Sequence, residues 1–197
     1  MDPFRGTVHH YESEAERAFL TVLISLPGVV RIREQRTVRY RLGGIDRTYT
    51  FDVVVDWACG TRVAYAVKAT TNELRAGDTP AILTAVGAQL GTRFAHQYRA
   101  VTNDTLDPVA LLNARLIVRC GRDHDYAAMD VVRDSLPRLG RSATLREVAE
   151  ATGLGRRGVR AAVALIQSGV LANPGGARLD LDLPLESRSL GTALPTQ

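Results

Sequence analysis

The strongest constraint on this chain is a pair of apolar segments, RTYTFDVVVDW at residues 47–57 and RVAYAVKAT at residues 62–70, joined by a tight turn at Cys59-Gly60-Thr61. β-Branched and aromatic residues dominate both, so each reads as a strand and the two together as a hairpin. Each strand also carries a charge that its neighbours do not explain. Asp52 stands among Phe51, Val53, Val54 and Val55, and Lys68 beside Ala66, Val67 and Ala69. A charge in such company needs a partner. Lys68 is further distinguished as the one lysine against 24 arginines. A lysine kept against that bias marks a position suited to a compact point charge rather than a planar guanidinium.

The surrounding sequence extends the hairpin into an α/β domain. Residues 12–26 place Ala15, Phe19, Val22, Leu23 and Leu26 at helical spacing, and Pro27-Gly28 stops the helix. Residues 29–42 alternate well enough for a strand or two before Gly43-Gly44 turns the chain. Residues 79–97 read as a helix with Thr79 as N-cap and Pro80 at its first position. A short strand at 99–104 and a helix at 106–120, begun by Asp-Pro, complete the set.

Beyond residue 123 the pattern changes. Residues 125–140 form an amphipathic helix, Thr144 and Glu147 make a capping box for a helix over 144–153, and Gly153-Leu154-Gly155 is a turn. Residues 156–169 give a second amphipathic helix, followed by two short strands around Asn-Pro-Gly-Gly in 170–185. Helix, helix, turn, helix, hairpin is the order of a winged helix built on a helix-turn-helix. The expected division is therefore an α/β domain over 1–123, with a mixed sheet flanked by helices, a winged-helix domain over 124–185, and a flexible tail over 186–197.

Composition narrows the class. A 45% hydrophobic fraction with mixed charge describes a folded globular protein. No stretch approaches the roughly 18 apolar residues of a membrane span, and the first residues lack an apolar signal region, so the expected compartment is the cytoplasm. Cys59 and Cys120 lie far apart and outside metal-ligand spacing, as expected of reduced thiols. The net charge of +4 is compatible with a nucleic-acid partner without establishing one.

Chemistry converges on four residues, Glu16, Gln35, Asp52 and Lys68. A hairpin can bring Asp52 and Lys68 onto one face. A carboxylate there can hold Mg²⁺ against a phosphodiester oxygen, and a lysine beside it can orient water or stabilise charge on phosphorus. Glu16 on the first helix can add a further ligand. The alternative on the same residues is a buried structural Asp–Lys pair, with Glu16 a solvated helix residue.

Several segments resemble TnsA endonuclease subunits of transposition systems, which belong to the PD-(D/E)xK restriction-like nucleases. They are ESEAERAFLTVLISLPGVVRIREQ with its Ser13-x-x-Glu16 and Glu34-Gln35, RTYTFDVVVD with Phe51 where proline is usual, AYAVKAT, and YRAVTNDTL followed by NARLI. A C-terminal winged helix is part of the same plan, so the likeness spans about residues 11–185. The resemblance implies a restriction-endonuclease-like fold and Mg²⁺- or Mn²⁺-dependent DNA cleavage at transposon ends. Glu16 and Asp52 would be the metal ligands and Lys68 the catalytic lysine, with Gln35 in support. The implied partners are DNA, a DDE transposase subunit and an ATPase regulator.

One position departs from the pattern. Ala66, two residues before Lys68, stands where Glu, Asp or Gln is usual. Gln35, Asp56, Glu73 and Gln89 are the candidate substitutes, and restoring a carboxylate at 66 is expected to tighten metal binding. Without a substitute, the domain becomes a degenerate module that binds DNA or a partner. In the second domain, Arg156, Arg157 and Arg160 open the second motif helix where major-groove readers make contact, whereas Asp180 and Asp182 in the wing would repel phosphates. DNA binding and protein docking both stay open there.

Overall fold

The computed structural model describes residues 1–188. It is an α/β structure that divides into two compact units, one comprising His9–Leu20 and Val29–Leu106, the other Met1–Val8, Thr21–Gly28 and the chain from Asp107 onward. Among the described residues, no helix is long and apolar enough to cross a membrane.

The first unit is a four-stranded mixed sheet of β1 (Val29–Leu42), β2 (Ile45–Trp57), β3 (Arg62–Lys68) and β4 (Gln97–Thr102), in that spatial order. β1, β2 and β3 pair antiparallel, and β4 joins β3 in parallel through a crossover carrying helices α2 (Thr71–Ala76) and α3 (Thr79–Leu90). The opening turns of α1 (Glu14–Ser25) belong to this unit, where Phe19 meets Tyr65 edge-on at 4.9 Å between ring centroids. The opposite face packs Val38, Tyr40, Phe51, Val54, Ala64 and Ala66 against Leu83 and Val86 of α3.

This cluster reveals a reversal in the sheet. Phe51 and Val54 share one face although their spacing should separate them. The register explains it: Glu34 opposes Val53 and Arg36 opposes Phe51, while the intervening rung, Gln35 opposite Asp52, is not laddered. Gln35 has a left-handed backbone, with φ of 50°. A non-glycine residue there is uncommon and kinks the ladder. Both strands exchange faces at this rung. Beyond it, β1 and β2 continue as a two-stranded ribbon, because β3 pairs with β2 only from Val53 to Asp56.

The second unit contains helices α4 (Pro108–Gly121), α5 (Tyr126–Leu139), α6 (Leu145–Thr152) and α7 (Arg156–Gln167) and a small sheet ordered β5 (Ser142–Ala143), β7 (Leu185–Ser187), β6 (Leu171–Ala172). The Thr144–Glu147 capping box forms, and Gly153 closes α6 with φ of 67°. The core runs from Ile117 and Cys120 of α4 through Val132, Leu136, Val148 and Leu165 to Leu171 and Leu185.

Several expectations are corrected. Helix α4 shares the core of the second unit, so the break falls at Leu106/Asp107 rather than after residue 123. Helix α3 ends at Leu90 because Gly91 adopts φ 50°, ψ −144°, and its N-cap is Asp78 rather than Thr79. The expected hairpin over 170–185 is a long connection between two short strands. The expected tail over 186–197 begins too early, since Glu186 and Ser187 are strand residues, and residues 189–197 lie outside the described ones. At the N-terminus, Asp2 is fully buried and accepts from the Phe4 and Arg5 amides at 2.9 and 3.1 Å. That turn sets the Phe4 ring so close to Gly121 that any side chain at 121 would overlap it.

A fragment of residues 125–188 should therefore unfold far more readily than one of residues 107–188, at roughly 2–5 kcal/mol for each buried aliphatic side chain lost with α4. Urea melts of the two fragments check this, and equal midpoints would contradict the shared core.

Candidate functional site

Asp52 sits on the kinked rung of β2, half-buried, where its Oδ2 accepts the Val67 amide at 2.6 Å. That bond spans the end of the β2–β3 ladder, so the carboxylate ties the two strands where they separate. Burial pushes the Asp52 carboxyl above its usual range. The Val67 amide opposes the shift, the Glu16 carboxylate adds to it, and Lys68 opposes it. Glu16 and Lys68 thus each lie within electrostatic reach of Asp52. Lys68 closes no salt bridge among the described residues, and it ends β3 opposite Thr102 of β4. This is the carboxyl end of the parallel pair, where open α/β sheets place ligands.

Glu16 is only 7% exposed. Its carboxylate accepts from the Glu12 amide at 3.1 Å and from Ser13 Oγ at 2.9 Å, while Ser13 Oγ accepts the Glu16 amide at 3.2 Å. The Ser-x-x-Glu pattern is thus a helix-capping device that fixes the position of the carboxylate. Tyr49 lies nearby. Burial, aided by the Asp52 charge, pushes its phenol up to about 12, and among the described residues its buried hydroxyl falls short of hydrogen-bond geometry with any group, Thr79 included.

Glu16 and Asp52 suit a Mg²⁺ ion, which is characteristically held by one or two carboxylates and several waters. Both keep lone pairs to spare. Among the described residues, no cluster of three His, Cys, Asp or Glu side chains accompanies them. The candidate substitutes for a ligand at 66 are mostly committed elsewhere. Asp56 pairs with Arg33 at 2.6 Å and Arg62 at 2.5 Å. Gln89 exchanges hydrogen bonds with the Arg41 backbone at 2.8 and 2.7 Å. Glu73 caps the Ala69 amide at 3.2 Å. Gln35 alone opposes Asp52, and its side chain is exposed.

Ala66 is fully buried under α3, with Ala64 and Val86 in the same cluster. The expectation that a carboxylate there simply completes the site therefore needs revision. The longer, charged side chain of Ala66→Glu would first have to be accommodated within an apolar layer. Sequence reasoning also passed over His9. Its ring Nδ1 contacts Glu34 Oε1, on the strand beside Gln35. Only the pairing of an N-terminal segment with β1 reveals that contact.

Two of the three arginines at the start of α7 are committed to carboxylates. Arg157 binds Asp125 through two bonds of 2.9 and 3.0 Å, and Arg160 binds Asp123, one bond measuring 2.6 Å. Both carboxyls are held below their usual range by these guanidiniums. With Cys120, His124 and Met129 they line a cavity of about 520 Å³. Arg156 has no ion pair among the described residues. Asp182, expected to repel phosphates, pairs with Arg146 at 2.7 Å. No protein-family model matches the chain, and no curated protein matches it.

The raised Asp52 pKa has a definite sign. Ionised Asp52 costs the fold stability as pH rises through the folded pKa, and no cost remains below the unfolded value near 4. Asp52→Asn should raise the melting temperature by a few degrees at neutral pH, with the gain vanishing near pH 3. A gain of equal size at both pH values would refute the desolvation account.

Proposed function

We propose that the chain is a metal-dependent DNA endonuclease subunit of the TnsA kind, with a restriction-endonuclease-like first unit and a winged helix in the second. The observation that carries the reading is the half-buried Asp52 carboxylate, bonded to the Val67 amide where β2 and β3 separate and within electrostatic reach of both Glu16 and Lys68. A bound Mg²⁺ or Mn²⁺ would polarise the scissile phosphate. Asp52, with Glu16, would hold that charge in place. Lys68 would orient the attacking water and offset charge on the phosphate oxygens. As the water oxygen bonds to phosphorus, the P–O bond to the leaving sugar oxygen breaks, the water's proton leaves to solvent, and the departing sugar oxygen takes up a proton from solvent to become a hydroxyl.

The winged-helix assignment is supported by the order α5, β5, α6, α7, β6, β7 with the sheet ordered β5-β7-β6. Because Arg157 and Arg160 are already paired, α7 is better suited to docking a protein, such as an ATPase regulator, than to phosphate contacts. A second reading, a binding module without turnover, is favoured by one observation: the usual third ligand position is occupied by the buried Ala66.

A nicking assay on supercoiled DNA with Mg²⁺ or Mn²⁺, supplemented with a transposase and an ATPase regulator, separates the two. Asp52→Ala, Lys68→Ala and Lys68→Arg should each reduce cutting at least a hundredfold, the order of loss when a positioned charge is removed. Cutting that survives Lys68→Ala would mean the site lies elsewhere. Silence of the wild type under all conditions would favour the binding module.

Ala66→Glu gives a second check. In metal-free buffer it should lower the melting temperature, because a carboxylate enters an apolar layer. Mg²⁺ should recover part of that loss if the introduced carboxylate and Asp52 share an ion. A melting temperature unmoved by Mg²⁺ would argue against a metal at this site.

A further inference from the structure

Two of the three arginines that the sequence nominates for DNA on α7, Arg157 and Arg160, are neutralised by aspartates, whereas a second group of arginines is not. Beyond the Gln35/Asp52 rung, the β1–β2 ribbon stands as two strands, one face packed on α3 through Val38, Tyr40 and Phe51. Its other face pairs Thr37 with Thr50 and Arg39 with Thr48, all exposed, and the two threonine hydroxyls are 2.8 Å apart. Arg36 and Arg47 are also exposed, but they stand opposite Phe51 and Tyr40 and so belong to the α3 side of the ribbon, toward its two ends. Neither they nor Arg39 closes an ion pair among the described residues, and the ribbon's one carboxylate beyond the kink, Asp46, is held by Arg41 at 3.1 Å.

The position of this face relative to Asp52 follows from the ladder. The rungs Arg39/Thr48 and Thr37/Thr50 share one side and lead directly to the Gln35/Asp52 position, where the faces exchange. At two residues per rung, Thr50 lies roughly 7 Å and Thr48 roughly 13 Å from Asp52 along the strand. Arg39 with the three hydroxyls of Thr37, Thr48 and Thr50 on the open face, flanked by uncompensated Arg36 and Arg47 from the other side of the ribbon, suits phosphate and sugar oxygens. A two-stranded ribbon also fits the width of a DNA groove.

We propose that this ribbon is the duplex-DNA surface of the protein, with Arg39 on its open face and Arg36 and Arg47 toward its ends holding the phosphate backbone and guiding it to Asp52. The proposal takes its nucleic acid from the function proposed above but does not require turnover.

The experiment measures binding of the full chain to a fluorescent duplex by anisotropy across a salt series in metal-free buffer. Arg36→Ala/Arg39→Ala/Arg47→Ala should weaken binding at least tenfold and reduce the slope of log K against log salt by roughly 0.9 for each charge lost. The corresponding triple lysine variant should keep the slope. Arg157→Ala/Arg160→Ala should leave it unchanged. All three variants are compared at equal melting temperature, since the substituted side chains lie on the surface. An alanine ribbon variant that binds like wild type, or a wild-type chain that binds no duplex, overturns the proposal. A chain that binds through the ribbon yet never cuts keeps it while removing the nuclease reading. A chain that cuts DNA with the ribbon arginines replaced removes the ribbon and keeps the nuclease.

Discussion

The kinked rung of Gln35 and Asp52 governs the first unit. On its β3 side, β2 presents Val53 and Val55 to one face and Val54 to the other, inside a sheet covered on both sides. On the far side, the same strand presents Tyr49 and Phe51 toward α3. Without the reversal, one of these apolar sets would face water, since a one-residue slip exchanges every side chain between faces. Asp52 is tolerated in an apolar strand because the ladder opens there, and the Val67 amide supplies a donor to its carboxylate. A single local distortion therefore fits the core and leaves a partly desolvated carboxylate at the point where two strands diverge. Such distortions recur beside active sites.

What the sequence disclosed follows from how local each signal was. The β2–β3 hairpin, the Thr144–Glu147 capping box and the Gly153 turn depend on near neighbours, and each was legible. Asp52 and Lys68 were identifiable because their charge contradicted their surroundings. The reversal at Gln35 was not legible, because glutamine carries no propensity for a left-handed backbone. Helix α2 is six residues long and buries none of them, so it left no periodic trace. The pairing of Arg157 and Arg160 with Asp125 and Asp123 depends on how the α4–α5 loop meets α7, a tertiary fact. Ala66 was legible as a missing ligand, but its burial beneath α3 required the packing.

The two groups of arginines show why charge count alone misleads. Both are surface clusters on regular elements, but one is matched by carboxylates at bidentate geometry and the other is not. Paired guanidiniums can take up phosphate only by releasing their aspartates. Unpaired guanidiniums on an exposed strand also discourage edge-to-edge strand pairing, so the same residues that attract a polyanion keep the long β1 edge from recruiting another chain.

The Phe4–Gly121 contact has a consequence for synthesis. The Asp2 turn belongs to the unit that contains α4, so it can seat only after the whole β1–β4 sheet has been made. On the ribosome the β1–β4 sheet can close while α4 is still being made, whereas the N-terminal turn stays undocked until α4 emerges. Closing so long a loop is slow, and the interval leaves Phe4 exposed to chaperones. The turn would then seat only after the sheet has closed.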